Sequence, residues 1–346
     1  MKIGNCGVEK VSRATWKNVF LAGFMLFVAA GNLQAQRYKN QFVPYSTVGF
    51  GVGTSNYYGD MASYRRPIPS TFKMMRWSVT GEYTRHFSPR FGARASLTWA
   101  RIAGDDYKMN RSGRTYHPGF YARNLHFRND IKELSAVGIL KLIPDSRSYD
   151  RRPEFGAYLF GGVALFAHNP KARLPIPDGE TEKQRWVSLQ PLGTEGQGRE
   201  GYEKLYSLVG FAIPVGVGLR YKINQKFDIA AELGFRFTTT DYLDDVSKNY
   251  PDPGVFASGA DPALAQQLSN RSMERVPARF PDKDRTEILR NYLGLEPGQD
   301  PYAYIQGGGF EVIRGNNAKQ MDAYMTGTIK VVYTLGSPVK CPPLKY

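Results

Sequence analysis

Two neighbouring segments in the middle of the chain alternate apolar and polar side chains residue by residue. From Val209 to Ile223 and from Phe227 to Phe237 the odd positions are apolar, and the even positions are small, polar or charged. Successive side chains of a β-strand point to opposite faces, so each segment has one apolar face. Both segments are longer than the usual strand of about five or six residues and suit a tilted strand that crosses a bilayer.

Six further segments favour strands on the same grounds. They are Tyr45–Ser55, Arg76–His86, Phe91–Ile102, Ile131–Ile143, Glu154–His168 and Tyr324–Leu335. The eight predicted strands are joined alternately by short and by long connections. The short ones are Phe87–Arg90, Pro144–Pro153 and Asn224–Gln225, and the longest runs from about 241 to 321.

Outer-membrane barrels join their strands by short periplasmic turns and long extracellular loops. The sequence therefore predicts an all-β protein, an eight-stranded antiparallel transmembrane β-barrel of the outer-membrane type. An even number of strands places both chain termini on the periplasmic side. In the last loop, Asp261 and Pro262 predict a helix start before Ala263–Glu274, and Asp282 or Asp284 predicts a second helix through Leu293.

The face opposite the apolar one carries charged residues of both signs. An eight-stranded barrel is narrow enough for its side chains to fill it, so we expect these charges to pair inside the lumen. They are Glu82, Arg94, Glu133, Arg220, Asp228, Glu232, Arg236 and Lys330.

Aromatic residues lie near the ends of the predicted strands, as in the aromatic girdles of membrane barrels. They are Tyr45, Tyr57, Tyr58, Trp77, Tyr83, Trp99, Tyr107, Tyr221 and Tyr242.

The N-terminus has the three parts of a secretory signal: basic residues, a short apolar run from Val19 to Ala30, and Ala35 at the predicted cleavage site. We predict a signal peptide over residues 1–35, a barrel domain over 36–335 and a periplasmic tail over 336–346. The alternative is an N-terminal membrane anchor, although the apolar run is shorter than the ~20 residues of a spanning helix. Cys341 is the one cysteine after processing, so an intramolecular disulfide is excluded.

The formal net charge is +15, and the predicted signal peptide accounts for +3 of it, which leaves +12. Such a balance suits nucleic acid in a cytosolic protein. In an exported protein it favours outer-membrane lipid and lipopolysaccharide, peptidoglycan or acidic partner proteins, so no nucleic-acid partner is expected.

Several motifs resemble those of the PorG-like outer-membrane β-barrel family of Bacteroidota, and the resemblance extends from about Tyr45 to Leu335. The two most specific motifs are Leu189–Gly198 (LQPLGTEGQG) and Asp241–Ser247 (DYLDDVS). The others are Ser55–Asp60 (SNYYGD), Ile102–Asp106 (IAGDD), Arg123–Arg128 (RNLHFR), Glu133–Ser135 and Asp322–Met325 (DAYM).

The resemblance implies a component of the type IX secretion system that is associated with the periplasmic PorK/PorN ring. Three elements on the predicted periplasmic side are candidates for partner contact: the Phe87–Arg90 turn, the basic Pro144–Pro153 connection and the Lys340–Tyr346 tail. The candidate residues of the connection and the tail are Arg147, Arg151, Arg152 and Cys341. A solvated turn is the alternative for the basic connection.

Acidic residues of the motifs would gather at the long-loop rim: Asp60, Asp105, Asp106, Asp241, Asp244 and Asp245. Clustered carboxylates suit hard cations, so Asp105, Asp106, Asp244 and Asp245 are candidate Ca²⁺ ligands. The alternative is a set of hydrogen bonds from these carboxylates to arginines and backbone amides that orders the loops.

Two other classes of function remain open beside the anchoring barrel. An adhesin-like barrel would bind surface ligands through its loops. A lipid-modifying enzyme would need a positioned nucleophile and base, and His86 with Ser88 is the one suggestive pair, in a short turn. We therefore predict no enzyme activity, no catalytic residue and no cofactor.

Overall fold

The computed structural model describes eight segments of the chain: 42–62, 67–110, 118–146, 148–174, 185–259, 261–280, 282–315 and 321–335. The predicted signal peptide over 1–35 and the predicted tail over 336–346 lie outside these residues.

Eight long strands form a closed antiparallel barrel. Each long strand pairs with its neighbours along the chain, and the first pairs with the last, which closes the ring. The strands are β1 (Tyr45–Tyr58), β2 (Arg76–His86), β3 (Phe91–Asp105), β4 (His126–Lys141), β5 (Phe155–Ala167), β8 (Val209–Lys222), β9 (Phe227–Thr238) and β10 (Ala323–Leu335). The predicted all-β class and the eight-stranded barrel are confirmed.

Three strands extend further than the alternation predicts. β1 runs to Tyr58 rather than Ser55, β3 runs to Asp105 rather than Ile102, and β4 begins at His126 rather than Ile131. The reason is burial, because residues 55–58, 102–105 and 126–127 are buried on both faces by the long loops. Alternation reports a strand only where one face is exposed and the other is not.

Smaller elements lie in the long connections. Two short strands pair with each other, β6 (Lys171–Arg173) and β7 (Trp186–Ser188). The helices are α1 (Pro67–Met74), α2 (Asp106–Asn110), α3 (Pro118–Arg123), α4 (Pro262–Ser269), α5 (Thr286–Tyr292) and α6 (Pro301–Gln306). The two predicted helices of the last loop are present as α4 and α5, each shorter than predicted; α1, α2, α3 and α6 were missed.

The barrel has two different ends. The "turn end" carries the connections 87–90, 142–154 and 223–226, together with the start of β1 and the end of β10. The "loop end" carries four long loops, L1 (59–75), L2 (106–125), L3 (168–208) and L4 (239–322). Among the described residues, no helix combines the length and the hydropathy needed to span a membrane.

The outward face of the barrel is apolar around its whole circumference. Leu97 is 66% exposed, and the other strands place residues such as Phe50, Val163, Phe211 and Ile329 in the same position. Of the predicted girdle aromatics, Trp77, Tyr83, Trp99 and Tyr221 are exposed on this face. The assignment was wrong for Tyr45, Tyr57, Tyr58 and Tyr107, which are buried, and Tyr242 is half-buried.

The eight predicted inward charges do form ion pairs in the lumen. A central quartet alternates in sign: Arg94 and Lys330 each contact both Glu82 and Glu232, over N···O distances of 2.5–3.2 Å. The Tyr158 hydroxyl donates to Glu232 over 2.5 Å. The four charged side chains of the quartet are 4–6% exposed, so their charges are compensated by one another rather than by solvent.

Two further ionic layers flank the quartet. Toward the loop end, Arg236 contacts Glu133 over 3.1 Å, and the Tyr324 hydroxyl donates to the same carboxylate. Toward the turn end, Arg220 contacts Asp145 over 3.0 Å and lies 3.9 Å from Asp228.

Cavities of about 50 Å³ and about 20 Å³ lie on the turn-end and loop-end sides of the quartet, and Arg94 lines both. Cavities of this size hold a few water molecules at most. The quartet therefore separates two small polar spaces inside a largely filled lumen.

We expect Glu232→Gln to destabilise the barrel by about 3 kcal/mol, because Arg94 and Lys330 would then share one carboxylate in a buried site. Urea unfolding of the detergent-solubilised protein, followed by the gel-mobility difference between folded and unfolded barrel, measures the effect. Glu287→Gln, an exposed position on α5, is the matched control and is expected to change the midpoint little.

Candidate functional site

The described parts of the four long loops pack against one another over the loop end, and we term them the loop cap. Its apolar base is a buried cluster that fills the mouth of the barrel. Leu243 and Val246 of the DYLDDVS motif contribute to this cluster together with Phe127 and Tyr324 from the barrel wall. The motif therefore closes the barrel with its apolar residues and presents its carboxylates to the other loops.

The LQPLGTEGQG motif of L3 owes its shape to three glycines. Gly193, Gly196 and Gly198 have φ angles of 58°, 82° and 81°, a region that other residues adopt only with strain. The resulting turns bring Thr194 and Glu195, both buried, against L4.

Arg314 of L4 joins the two most specific motifs. Its guanidinium contacts Glu195 over 2.9 Å, Thr194 over 2.7 Å and the carboxylate of Asp245 over 3.3 Å. It also donates to the backbone carbonyl of Ser269. Arg314 is 2% exposed, so one buried cation holds L3 and L4 together.

Arg123 of L2 links the remaining loops to the same centre. Its guanidinium makes two 2.8 Å bonds to the carboxylate of Asp106 and a 3.1 Å bond to the backbone carbonyl of Asp60 in L1. It also donates to the backbone carbonyl of Arg314. Through Arg123 and Arg314, which we term the arginine pair, all four loops are connected.

Two more buried arginines fasten L4 to its neighbours. Arg285 donates to the backbone carbonyls of Tyr121 and Ala122 in L2 over 2.8 and 3.0 Å. Arg271 donates to the carbonyl of Arg173 in L3 over 2.7 Å. No sequence pattern marks Arg271 and Arg285, because their partners in the other loops are backbone carbonyls far away in the chain. Of the four buried arginines, Arg123 alone lies within a motif.

The candidate Ca²⁺ ligands do not converge. Asp105 contacts Arg279 over 3.0 Å and Asp106 is bound by Arg123, whereas Asp244 accepts from Tyr57 over 2.6 Å and Asp245 from Tyr206 over 2.7 Å. Within the described segments, no group of three or more His, Cys, Asp or Glu side chains is arranged to hold a metal ion. These carboxylates order the loops, as in the alternative interpretation.

A separate group of buried carboxyls surrounds Tyr57. Its hydroxyl lies 2.6 Å from Asp244 and 2.9 Å from Asp322, and one hydroxyl proton serves both acceptors. Burial and the charge of Asp60 raise the pKa of Asp244 well above its usual range. Burial also raises the pKa of Asp241 to about 7, and its Oδ2 has no hydrogen-bond partner among the described residues. The folded state therefore favours the protonated forms of the Asp241 and Asp244 carboxyls.

The candidate partner-contact residues differ in their exposure to solvent. Arg151 is exposed at the turn end, in a short 3₁₀ helix, Tyr149–Arg151. Arg152 was wrongly assigned to the surface: it is 2% exposed, because its guanidinium binds Asp228 over 2.7 Å and caps the carbonyls of the 223–226 turn. Arg147 and Cys341 lie outside the described residues.

The His86 and Ser88 side chains serve different structures. His86 is buried inside the turn end, with its ring 4.4 Å from that of Tyr45. The Ser88 hydroxyl accepts from the backbone amides of Arg90 and Phe91 over 3.3 and 2.9 Å and so shapes the turn.

Residues 22–187 match the model of a family described as a domain of unknown function, DUF6089. No curated protein matches the chain.

Solved structures that resemble it include Ail, the attachment invasion locus protein of Yersinia pestis. That match has 8% identity and a TM-score of 0.32, and it covers 84% of this chain and 99% of that one. The N-terminal β-barrel domain of Pseudomonas aeruginosa OprF matches with 8% identity and a TM-score of 0.28, covering 84% and 98%. Neisserial surface protein A matches with 7% identity and a TM-score of 0.32, covering 83% and 96%.

We expect Arg314→Met to loosen the loop cap while the barrel stays closed. The variant leaves Glu195 and Asp245 buried without their cation, a loss of about 3–5 kcal/mol for the cap. Limited proteolysis should then cut L3 or L4 at protease concentrations that leave the parent intact. Arg275→Met, an exposed arginine of L4, is the control; equal resistance of parent and Arg314→Met would contradict the role of Arg314.

We expect the cap to gain stability as the pH falls from about 7 toward 4. The pKa of Asp241 is raised to about 7, so the folded state binds its proton more tightly than the unfolded chain does. The resulting stabilisation is complete below the unfolded value of about 4 and is lost as the pH rises through 7.

Hydrogen exchange of residues 241–247, corrected for the intrinsic rate at each pH, should therefore slow between about pH 7.5 and pH 5.5. Asp241→Asn should reduce this dependence, whereas Glu200→Gln, an exposed carboxylate of L3, should retain it. An unchanged dependence in Asp241→Asn would refute the assignment.

Proposed function

We propose that this chain is a non-catalytic outer-membrane barrel that anchors periplasmic proteins of a type IX secretion system through its turn end. The observation that carries the proposal is the continuous apolar outward face of a closed barrel. A soluble protein rarely exposes an apolar surface of this extent, whereas a bilayer requires one.

The dimensions of this face agree with a bilayer. Outward residues on β3 are apolar from Phe91 to Trp99, a length of about 27 Å along the strand. With a strand tilt of about 40°, the band is about 21 Å tall, near the ~25 Å of known outer-membrane barrels. The side chains of Trp99 and Trp77 lie at the loop-end edge of this band, because Trp99 pairs with Val79 and Trp77 lies two residues beyond Val79.

The quartet and its flanking layers favour an anchoring role over transport. The spaces beside the quartet are about 50 Å³ and 20 Å³, too small for a solute larger than a few waters. The two most specific motifs of the PorG-like resemblance meet at Arg314 in the loop cap. These two motifs also carry most of the resemblance, and the PorK/PorN-like ring is then the partner expected at the periplasmic side.

The turn end offers a basic surface for such a partner. Arg90, Arg151 and Lys226 are exposed on three different turns. Rim charges of one sign steer a partner of the opposite sign and set its association rate. We therefore assign these three side chains to the contact with the ring, in place of buried Arg152.

The test is an affinity pull-down of the tagged protein from native outer membranes, with mass spectrometry of the recovered proteins. We expect the parent to recover ring proteins, and the triple variant Arg90→Glu, Arg151→Glu and Lys226→Glu to recover about tenfold less. Secretion by the corresponding strains is measured in parallel.

Lys283→Glu, an exposed charge reversal in L4, is the control and should recover as much as the parent. Recovery of the barrel alone by the parent, with normal secretion in a deletion strain, would refute the secretion role. Deletion of Ala257–Asn317 in L4 would separate ligand binding by the loops from secretion less cleanly than these point variants do. The reason is that this segment supplies Arg285 and Arg314 to the loop cap.

A further inference from the structure

One side of the barrel carries a dense group of cations on its outward face, next to the loop end. Trp99 of β3 pairs with Lys132 of β4, Ala103 pairs with Arg128, and Arg128 pairs in turn with Lys171 of β6. Residues directly opposite each other in a ladder share a face, and Arg128 and Lys132 alternate with buried residues. We term Arg101, Arg128, Lys132, Lys171 and Arg173 the cationic patch.

Tryptophan rings fix the arginines of the patch. The guanidinium carbons of Arg128 and Arg173 lie 4.2 and 5.0 Å from the centre of the Trp186 ring, which both arginines share. Arg101 lies 5.3 Å from the Trp77 ring. Stacked guanidinium groups lose rotamer freedom before any ligand arrives, which lowers the cost of binding.

Three cations of the patch have no ion-pair partner among the described carboxylates. Arg101 is paired with Asp130 over 2.6 Å, but Arg128, Lys132 and Lys171 form no ion pair with any carboxylate that the structure describes. Arg128 and Lys171 lie directly opposite each other in the ladder, and like charges in that position repel one another. An anion bound among them would relieve this repulsion.

Phosphate is the anion that matches these donors. Guanidinium groups bind phosphate oxygens in pairs, and lysine ammonium groups add point charges beside them. The apolar band begins directly below the patch, since Leu134 follows Lys132 on the same outward face and Leu97 is its partner on β3. A ligand that spans both surfaces has a phosphorylated head and acyl chains.

We propose that the cationic patch binds the phosphorylated headgroup of an outer-leaflet glycolipid whose acyl chains pack against Leu97 and Leu134. The inference rests on the membrane location in the proposed function but not on the secretion role. It names a lipid site on the barrel wall, away from the turn end.

The test measures binding of bis-phosphorylated lipid A and of its dephosphorylated form to the purified protein in detergent by native mass spectrometry. The triple variant Arg128→Gln, Lys132→Gln and Lys171→Gln removes three charges from solvent-accessible positions. We expect it to bind phosphorylated lipid A about 100-fold more weakly than the parent, and we expect the parent to prefer the phosphorylated form.

A variant with the same loss of charge at the turn end, Arg90→Gln, Arg151→Gln and Lys226→Gln, is the control and should bind as the parent does. Equal binding by the patch variant, or equal binding of the two lipid forms by the parent, would overturn the proposal. Full displacement of the lipid by excess inorganic phosphate would instead identify free phosphate as the ligand and would also overturn it.

Folding of each variant is checked by its gel mobility, and insertion by recovery in lipid nanodiscs. Failure of the parent to insert would refute the membrane location itself, and normal insertion without lipid preference would refute only the lipid site. The secretion role is measured separately by the pull-down.

Discussion

The antiparallel pairing of β1 with β10 is the interaction on which the rest of the structure depends. It runs from Ser46–Leu335 to Tyr58–Ala323 without a break and joins the first long strand to the last. Closure satisfies the backbone hydrogen bonds that would otherwise be exposed at two sheet edges. Once the sheet is closed, each strand has an inside and an outside, and every side chain must suit one or the other.

The side chains inside the barrel and those outside it differ in chemical character. Outside, the side chains are apolar and exposed, and they pack against no other part of the described chain. Inside, space is limited and polar, so Glu82, Arg94, Glu232 and Lys330 neutralise one another. Such a quartet gains little over an apolar core, but it tolerates only one register of the strands, because a slip by one residue turns each charge outward.

The sequence predicts the barrel well because period-2 alternation and turn length are local signals. All eight strands are present, and the eight lumen charges point inward. Burial of a strand end by distant loops is not a local signal. The loop-end limits of β1, β3 and β4 therefore differ from the predicted ones. Arg152 shows the same limit: a basic residue in a turn predicts exposure, unless a partner such as Asp228 lies inside the barrel beside it.

The cap was the least predictable part for a related reason. Its acidic motifs were recognisable, but carboxylates alone do not reveal whether a cation or an arginine neutralises them. Arg314 lies far from Glu195 in sequence and in no motif, and it carries no periodic signal. The candidate site could therefore be located at the rim from its motifs, while its chemistry depended on contacts that only the fold brings together.

The position of Arg314 also has a consequence for the order of assembly. L4 separates β9 from β10, so closure of the barrel requires a long search by the last strand. Arg314 precedes β10 closely and is held by L3 and by Asp245 at the start of L4. If this arginine docks before β10 pairs, the free chain before β10 is about tenfold shorter, and the entropic cost of the last closure step alone is lower by about 2 kcal/mol. In that order of steps, contacts between L3 and L4 bring β10 close to β1 before the two strands pair.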